Sequence, residues 1–486
     1  MPVVVLVYLF GLTSAGLLGP DEPRYASVAR EMATSGDWIT PRLWGQPWFE
    51  KPALLYWMIA AGFRSGLGEE LAPRLPVALM ALAFLSFYWW ILRREFGLRT
   101  AWYAALILAT AAGWVGFSQV GVTDLPMTAA FSAAMLLALP WVAKGDARYL
   151  PLTAALLGMA VLAKGLVPLV LATPLATVVA LKRGPRALGA LLQWRVAVPF
   201  LIVALPWYVL CTIRNGREFL RVFFWQHQFE RLHSPALQHI QPFWFYVPIL
   251  FVGLLPWAPL AALGFRPQHW REPRRAFLLA WVLFGFVFFS LAVNKLPGYM
   301  LPLLPAICAV MGVGMAEASN TGVSLGLAAS ALLLAIFPVG SRLLPAALAQ
   351  GLSRAPAAHL GWSWAAAVAA AILVVLLARR DRTFEAFTFL ALCAAASLLY
   401  VKAAALPEID RVASARSLWR QIAAKREETC VATLNRNFRY GLNYYSGVPL
   451  PDCTEQPEPL EIRQQPGEAP QIDRSSAMLA QPAPSR

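Results

Sequence analysis

The sequence predicts an all-α polytopic membrane protein with about thirteen transmembrane helices. Of its 486 residues, 58% are hydrophobic and only 14% are charged, a balance that soluble domains of this length do not have. Apolar runs of roughly 18 to 22 residues recur through residues 1–405, and each can cross a hydrocarbon core of about 30 Å as a helix. Soluble, nucleic-acid-binding and fibrous classes are therefore excluded.

The loops between the apolar runs set the predicted topology, because Lys and Arg mark the cytoplasmic side. Basic loops hold Arg93, Arg94 and Arg99; Lys144 and Arg148; Lys182, Arg183, Arg186 and Arg195; Arg266, Arg271, Arg274 and Arg275; and Arg379, Arg380 and Arg382. The predicted spans are residues 2–19, 73–92, 100–119, 125–143, 150–163, 166–181, 196–213, 243–264, 276–293, 299–316, 322–343, 361–378 and 384–403. The odd number places the N-terminus inside and the C-terminal tail outside.

The first span and the apolar stretch 150–181 differ from a simple transmembrane helix. The first has no basic n-region and no clear cleavage signal, so we interpret it as a retained helix rather than a signal peptide. The apolar stretch 150–181 is interrupted by Lys164-Gly165 and Pro168, which favours two short helices that meet at the outer surface.

Three outer segments are longer than turns. They are a first periplasmic loop at residues 20–72, a second at residues 214–242, and the tail at residues 406–486. The tail follows the membrane domain, which comprises residues 1–405. Within the first loop, residues 22–32 have their apolar side chains on one helical face and so predict a helix in the membrane interface, with Trp38, Trp44, Trp48 and Trp57 as anchors. The alternative is a re-entrant linker with solvated charges.

The tail predicts a small periplasmic α/β domain at residues 406–455. A helix is expected at 413–426 and strands at 430–434 and 440–448, whereas the Pro-, Gln-, Glu- and Ser-rich residues 456–486 are expected to be disordered. Cys430 and Cys453 form a disulfide if the compartment is oxidising, and two unpaired thiols remain the alternative. Cys211, Cys308 and Cys393 lie in apolar helices and are expected to be packing residues.

Ionisable residues cluster at the outer ends of the spans, where they are costly unless they are paired, solvated or functional. Asp21, Glu22, Glu50 and Lys51 lie in the first loop, and Asp124 lies between the third and fourth spans. Further ionisable residues at outer ends are Lys164, His227, Arg231, His239 and Lys295. Carboxylates and cations together at this surface indicate recognition of a membrane-tethered anion, with a carboxylate left to handle a proton.

Several motifs occur together at these positions. They are Asp21-Glu22 with Arg24-Tyr25-Ala26, Trp48-Phe49-Glu50-Lys51-Pro52 with Leu55-Tyr56-Trp57, Thr123-Asp124-Leu125-Pro126, Ala163-Lys164-Gly165, the stretch from His239 to Tyr246, and Lys295-Leu296-Pro297-Gly298-Tyr299. The combination resembles the polyprenyl-phosphate-sugar glycosyltransferases of the GT-C superfamily, in particular the bacterial lipid A aminoarabinose transferases. Their protein O-mannosyltransferase relatives are also similar.

The resemblance implies transfer of a sugar from an undecaprenyl-phosphate donor at the periplasmic face of the inner membrane, with inversion at the anomeric carbon. Lipid A would be the acceptor; a protein or another glycolipid remains the alternative. Asp21 would be the central catalytic carboxylate, Glu22 its neighbour, and Asp124 the partner that orients Lys51. The donor phosphate would be bound by Lys51, Arg24, Tyr25, Arg231, Lys295 and Tyr299.

The same resemblance places a metal-binding acid at Glu50, with His ligands from the loop after the seventh span. Glu and His together suit zinc, so His227 and His239 are the candidate partners. The alternative for each His is a polar anchor at the interface, and for Arg231 and Lys295 a cation that only anchors a helix end.

A transporter and a scaffold protein are the alternatives from other functional classes. A lipid or oligosaccharide transporter would also have many spans and embedded charges, but transporters place charges near the midplane and have internal repeats. This sequence has its charges at outer helix ends and no such repeat. A scaffold whose tail binds partners is a third possibility, for which the sequence contains no motif.

Overall fold

A computed structural model describes residues 2–230, 241–265, 271–351, 354–355, 361–465 and 467–474, with the backbone alone for residues 227–230. Its first half contains α1 Pro2–Leu9, α2 Asp21–Ser35, β1 Arg42–Leu43, β2 Gln46–Pro47, α3 Leu54–Arg64, α4 Leu71–Phe96, α5 Leu98–Ala109, α6 Ala112–Phe117, α7 Asp124–Leu137, α8 Leu139–Lys144, α9 Leu150–Lys164, α10 Val167–Leu171, α11 Thr173–Arg183 and α12 Trp194–Leu220. A 3-10 helix at Pro185–Leu192 precedes α12 and a π-helix at Arg221–Glu230 follows it.

The second half contains α13 Tyr246–Gly253, α14 Ala261–Gly264, α15 Pro273–Leu291, α16 Leu304–Glu317, α17 Asn320–Leu333, α18 Ile336–Gln350, α19 Ser363–Arg379, α20 Thr383–Val412, α21 Ala415–Ile422, β3 Thr429–Thr433, α22 Arg436–Ser446, β4 Leu460–Arg463 and β5 Gln471–Arg474. Short 3-10 helices lie at Phe243–Phe245, Ala258–Leu260, Pro297–Leu303 and Ala423–Glu428. The predicted helical membrane fold with a small C-terminal sheet is confirmed.

The predicted spans coincide with helical segments, but fewer of them are long unbroken helices. In the described residues, six helices are long and apolar enough to cross a membrane, and two bent pairs raise the number to eight. The six are Leu71–Phe96, Asp124–Lys144, Trp194–Gln226, Pro273–Leu291, Pro297–Glu317 and Thr383–Val412. Shorter apolar helices, such as α5, α9 and α19, occupy other predicted spans. The split at Lys164-Gly165 occurs as predicted, with Gly165 at φ +80°.

The first predicted span is shorter than expected, because α1 ends at Leu9 rather than near residue 19. Beyond it, the guanidinium of Arg74 donates to the backbone oxygens of Leu12, Ala15 and Gly16 at 2.6–2.9 Å. Carbonyls that a helix would use internally are thus bound by a side chain from α4, which stabilises an irregular segment directly before α2.

Two other predicted spans break where they face each other. Residues 100–119 are interrupted after α5, and residues 243–264 bend by 111° between α13 and the following helical segment. The amide of Ala112 donates to Leu255 O at 3.0 Å, and Trp257 Nε1 donates to Thr110 Oγ1 at 2.9 Å. Backbone groups released at one break are therefore satisfied at the other.

The tail domain, Ala415–Arg474, contains a three-stranded sheet in the order β3-β4-β5, parallel between β3 and β4 and antiparallel between β4 and β5. Two predictions for it were wrong. Residues 440–448 lie mainly in α22, which Asn435 caps by accepting from Asn437 N at 2.9 Å. The segment predicted to be disordered contains β4 and β5, which complete the sheet; residues 475–486 lie outside the described residues. Cys430 and Cys453 form a disulfide.

Candidate active site

An open cavity of about 270 Å³ lies where the first loop meets the ends of α7 and α9. Its polar end includes Asp21, Lys51, Asp124 and Lys164. The other wall is mainly apolar and is formed by Leu166, Val167, Val170, Phe288, Phe289 and Ala292. Charged groups that the sequence separates by as many as 143 positions thus border one space, which continues along a hydrophobic surface.

Asp21 is the first residue of α2, and its side chain is half-exposed to the cavity. Its Oδ1 accepts from Arg24 Nη2 at 2.5 Å, one helical turn further along. The same Arg24 nitrogen lies 2.8 Å from Glu50 Oε2, and Lys51 Nζ lies 3.3 Å from Glu50 Oε1. The predicted first-loop residues therefore form one cluster in which Arg24 orients two carboxylates rather than pointing to a donor.

Tyr25 borders the cavity beside this cluster, as predicted. Burial, followed by the Glu50 and Asp21 carboxylates, raises the pKa of the Tyr25 hydroxyl well above its ordinary value. Tyr25 therefore stays protonated at physiological pH and can donate a hydrogen bond to an anion.

Asp124 and Lys164 form a second pair at the cavity. Asp124 begins α7 and Lys164 ends the neighbouring α9, positions where the helix dipoles favour a negative and a positive charge. Lys164 Nζ lies 2.6 Å from Asp124 Oδ1 and 5.3 Å from the centre of the Tyr299 ring. Gly298 packs so closely that an added Cβ would lie 2.3 Å from Asp124 Oδ1.

This pairing corrects the predicted partner of Asp124. Within the described residues, its ion-pair partner is Lys164 and not Lys51. The reason is topological, because α7 and α9 are neighbours whose charged ends lie at the same level, whereas Lys51 is positioned by Glu50 in the first loop.

Glu22 lies elsewhere than predicted. Its side chain is 1% exposed and accepts from Arg74 Nε at 2.7 Å and Nη2 at 2.8 Å. The amides of Leu18 and Gly121 also donate to it, each at 2.8 Å. With its oxygens bound in this way and no place among the cavity-lining residues, Glu22 holds three chain segments together, and these contacts favour a structural role over the predicted catalytic one.

The predicted phosphate ligands separate into two groups. Lys51, Tyr25 and Tyr299 border the cavity. Lys295 is buried instead, and its Nζ donates to the carbonyls of Ala292 and Gln241 at 2.5 and 3.1 Å, so it fixes the loop beside the cavity. Arg231 lies outside the described residues.

The predicted zinc site remains a prediction. Of its three proposed ligands, the structure describes only the Glu50 side chain, because the His227 side chain and His239 lie outside the described residues. Glu50 contacts two cations, Arg24 and Lys51. Among the described residues, no three His, Cys, Asp or Glu side chains are grouped to bind a metal ion. Glu50 alone is too few ligands for zinc, and we derive no step through it.

Among the side chains that the structure describes at the site, the formal charges of the ion pairs balance. Three carboxylates, Asp21, Glu50 and Asp124, are matched by three cations, Arg24, Lys51 and Lys164. Lys51 and Lys164 both border the cavity and are only 13% and 14% exposed, so an anion that enters meets two poorly hydrated ammonium groups. Such groups stabilise negative charge more strongly than they would in water.

Two contributors to this arrangement were absent from the sequence prediction. Arg74 lies 52 positions from Glu22, at the start of a long apolar helix, where it is indistinguishable from a topology-setting charge. Tyr440 of the tail lies with its ring centre 5.3 Å from the Arg24 guanidinium. Its position in an aromatic-rich run gave no signal of such a contact.

Comparison with known proteins finds relatives in sequence and in fold. The family described as dolichyl-phosphate-mannose-protein mannosyltransferase matches residues 50–209. An undecaprenyl phosphate-alpha-4-amino-4-deoxy-L-arabinose arabinosyl transferase of Sodalis glossinidius is 33% identical over 384 residues, which cover 74% of this chain and 67% of that protein. Two proteins of that name from Pseudomonas fluorescens and Pseudomonas aeruginosa are 36% and 34% identical, over 65% and 68% of this chain but only 55% and 61% of their own lengths.

Solved structures extend the likeness. The crystal structure of ArnT from Cupriavidus metallidurans bound to undecaprenyl phosphate superposes with a TM-score of 0.76 at 27% identity, over 92% of this chain and 84% of that one. The arabinosyltransferase EmbB from Mycobacterium smegmatis, at 15% identity and a TM-score of 0.51, shares the fold alone.

Proposed function

The chain belongs to the family of undecaprenyl phosphate-4-amino-4-deoxy-L-arabinose arabinosyl transferases, and we propose from this premise that it transfers such a sugar to a lipid A phosphate. The reaction takes place on the periplasmic side of the bacterial inner membrane. The observation that carries the proposal is the cavity in which two carboxylates, Asp21 and Asp124, and two ammonium groups, Lys51 and Lys164, adjoin an apolar wall. A lipid-linked phosphate sugar has the same division between a charged end and a hydrophobic chain.

The donor fits this division. Its prenyl chain lies along Val167, Val170 and Phe288, while its phosphate lies between the ammonium groups of Lys51 and Lys164. The related Cupriavidus protein was crystallised with undecaprenyl phosphate, which supports the same ligand class here. Tyr25, which remains protonated, donates a further hydrogen bond to the phosphate.

The chemistry follows from where charge develops. An ionised oxygen of the acceptor phosphate attacks the anomeric carbon from the side opposite the donor phosphate, so the configuration inverts. As the bond from that carbon to the donor oxygen breaks, its electron pair passes to the leaving undecaprenyl phosphate, which becomes more negative. Lys51 and Lys164 stabilise that charge in a water-poor site.

Asp21 acts at the other side of the reacting carbon. The sugar gains positive charge in the transition state, and the nearby carboxylate, oriented by Arg24, stabilises it. No proton has to be removed from an ionised phosphate acceptor. A hydroxyl acceptor would have to lose a proton, and Asp21 would then serve as the general base.

The orientation of the protein is supported by three observations. The Cys430–Cys453 disulfide suits an oxidising compartment. The tail domain that contains it packs against the first loop, so both lie on the same side. Arg93 and Arg94 lie at the far end of the 26-residue helix α4, which starts near Arg74, and basic residues prefer the cytoplasmic side.

A second acceptor class is favoured by one finding, the match of residues 50–209 to the protein mannosyltransferase family. Donor class and chemistry at the cavity would be unchanged, and a protein hydroxyl would replace the lipid A phosphate. A transporter, the alternative from another class, finds no support among these relatives.

The test is reconstitution of the purified chain with undecaprenyl phosphate-4-amino-4-deoxy-L-arabinose and lipid A. Mass spectrometry should detect lipid A heavier by one aminoarabinose residue with wild type and not with Asp21→Asn. Mass spectrometry of envelope glycoproteins from a deletion strain complemented with each form identifies the protein alternative. A missing glycoprotein sugar with unchanged lipid A would contradict the proposed acceptor and retain the donor class; no transfer to either would reject the proposed function.

A further inference from the structure

Helix α22 of the tail domain docks on the first loop through a row of tyrosines. Tyr444 donates through its hydroxyl to Glu69 O at 2.7 Å, and its own carbonyl accepts from Arg30 Nη2 at 2.5 Å. The hydroxyl of Tyr445 accepts from Leu17 N at 3.1 Å. These contacts attach the tail to the first loop and to the segment that precedes it, but they do not reach the cavity cluster.

Tyr440, one helical turn before Tyr444, reaches that cluster. Its ring centre lies 5.3 Å from the guanidinium carbon of Arg24, and the ring of Trp48 lies 5.6 Å away on the first loop. Arg24 is only 2% exposed and donates to both Asp21 and Glu50. Aromatic rings attract a guanidinium electrostatically and restrict where it can lie, so they also restrict the carboxylates that it binds.

A strained turn of the first loop also contacts Tyr440. Trp44 and Gly45 form the two-residue loop between β1 and β2, with φ +54° and +80°. Such loops favour Asn-Gly or Asp-Gly, and a bulky residue is unfavourable there. The Trp44 ring stacks on Tyr440 with centres 5.8 Å apart and planes at 19°, while Glu31 of α2 accepts from Gly45 N at 3.1 Å.

We propose that Tyr440 is a positioning residue for sugar transfer, which acts through Arg24 to orient Asp21. We name Trp44, Trp48 and Tyr440 the aromatic clasp. The inference rests on the proposed function for its kinetic consequence, and it makes the tail domain part of the catalytic apparatus. Backbone strain at Trp44 is retained because it places the ring that fixes Tyr440.

The experiment compares Tyr440→Leu with Tyr440→Phe in the purified full chain, using the reconstituted transfer assay. No hydrogen bond joins the Tyr440 hydroxyl to any residue that the structure describes, so the ring alone should suffice. Loss of the ring should lower kcat by roughly 3- to 30-fold with little change in the KM of the donor, and Phe should restore kcat. Arg439→Leu is the matched control, because Arg439 pairs with Asp452 inside the tail, 3.5 Å away.

Hydrogen exchange measured by mass spectrometry makes the test independent of activity. Peptides that cover residues 18–25 should exchange faster in Tyr440→Leu than in wild type, Tyr440→Phe or Arg439→Leu, whereas tail peptides should be unchanged. An unaltered kcat in Tyr440→Leu, with wild type active, overturns the proposal. If wild type transfers no sugar, the proposed function fails, and unaltered exchange at residues 18–25 would then reject the positioning contact as well.

Discussion

Two arginine–carboxylate clusters begin at adjacent residues of α2 and differ in the exposure of their first carboxylate and in what it binds. Asp21 borders the cavity and remains half-exposed, and Arg24 joins it to Glu50 behind the cavity wall. Glu22 and Arg74 are buried, and together they bind three carbonyls and two amides of other segments. One residue along a helix turns the side chain by about 100°. Burial and the number of hydrogen bonds, not residue type, therefore distinguish the cavity carboxylate Asp21 from the buried Glu22.

The largest expected effect on activity comes from Asp21→Asn. The substitution keeps size and removes charge at the reacting carbon, so the rate of sugar transfer should fall by roughly 10²- to 10⁴-fold. Thermal stability should change little, because the side chain is half-exposed. Initial rates and thermal unfolding in detergent measure both. Nearly full activity would remove Asp21 from the reactive cluster.

The complementary change, Glu22→Gln, should act on stability. It leaves the buried Arg74 guanidinium without a counter-charge, and breaking a buried pair costs about 3–5 kcal/mol of unfolding free energy. We expect a large fall in unfolding temperature or in the yield of folded protein. Asp21→Asn is the matched control. A Glu22→Gln protein with wild-type stability and no activity would restore the catalytic role that the sequence predicted for Glu22.

Lys164→Met tests whether the second cavity pair belongs with the reactive cluster. Loss of one cation beside the donor phosphate should reduce kcat/KM by roughly 10- to 100-fold. Since Asp124 would lose its partner, Asp124→Asn in the same chain should add less than it does alone. A double-mutant cycle of kcat/KM measures this coupling. Strictly additive effects would indicate that the two side chains act independently.

Gly298→Ala should produce the smallest effect. Its new methyl group would lie 2.3 Å from Asp124 Oδ1, so the carboxylate must shift and its bond to Lys164 must lengthen. A several-fold loss of kcat/KM is expected, in line with a weakened hydrogen bond of about 1 kcal/mol. Gly340→Ala, at a position with open space around it, is the control. Equal rates in both variants would show that the Asp124 position tolerates displacement.

The sequence predicted the charged residues of the cavity, because ionisable residues next to membrane spans are costly unless they are paired, solvated or functional. Asp21, Lys51 and Asp124 were found in this way, and the cavity includes all three. Pairing was harder to predict. Asp124 pairs with Lys164 because the start of α7 and the end of α9 lie at the same level. Glu22 pairs with Arg74, which is 52 positions away. Neither ion pair leaves a local pattern in the sequence.

Element boundaries were missed where tertiary contacts override local preference. Apolar composition predicts a continuous helix through residues 2–19, but a guanidinium binds three of its carbonyls. Aromatic residues after position 440 favour a strand, yet Phe438, Leu442 and Tyr445 are buried along one face of a helix. In both cases the deciding partner lies far away in the chain.

The contact between the chain's first and last segments has a consequence for biosynthesis. Leu18 bridges to Ser414, and Gly16 N donates to Asp410 Oδ1 at 2.7 Å, so residues about 394 positions apart become neighbours. At roughly 5–20 residues per second, the ribosome delivers the second partner about 20–80 s after the first. During this interval the first loop, which contains Asp21, is already synthesised, but the tail domain that packs against it is not. Newly made chains should therefore acquire activity only when the last domain has folded, and chains truncated before residue 410 should remain inactive whatever the state of their membrane helices.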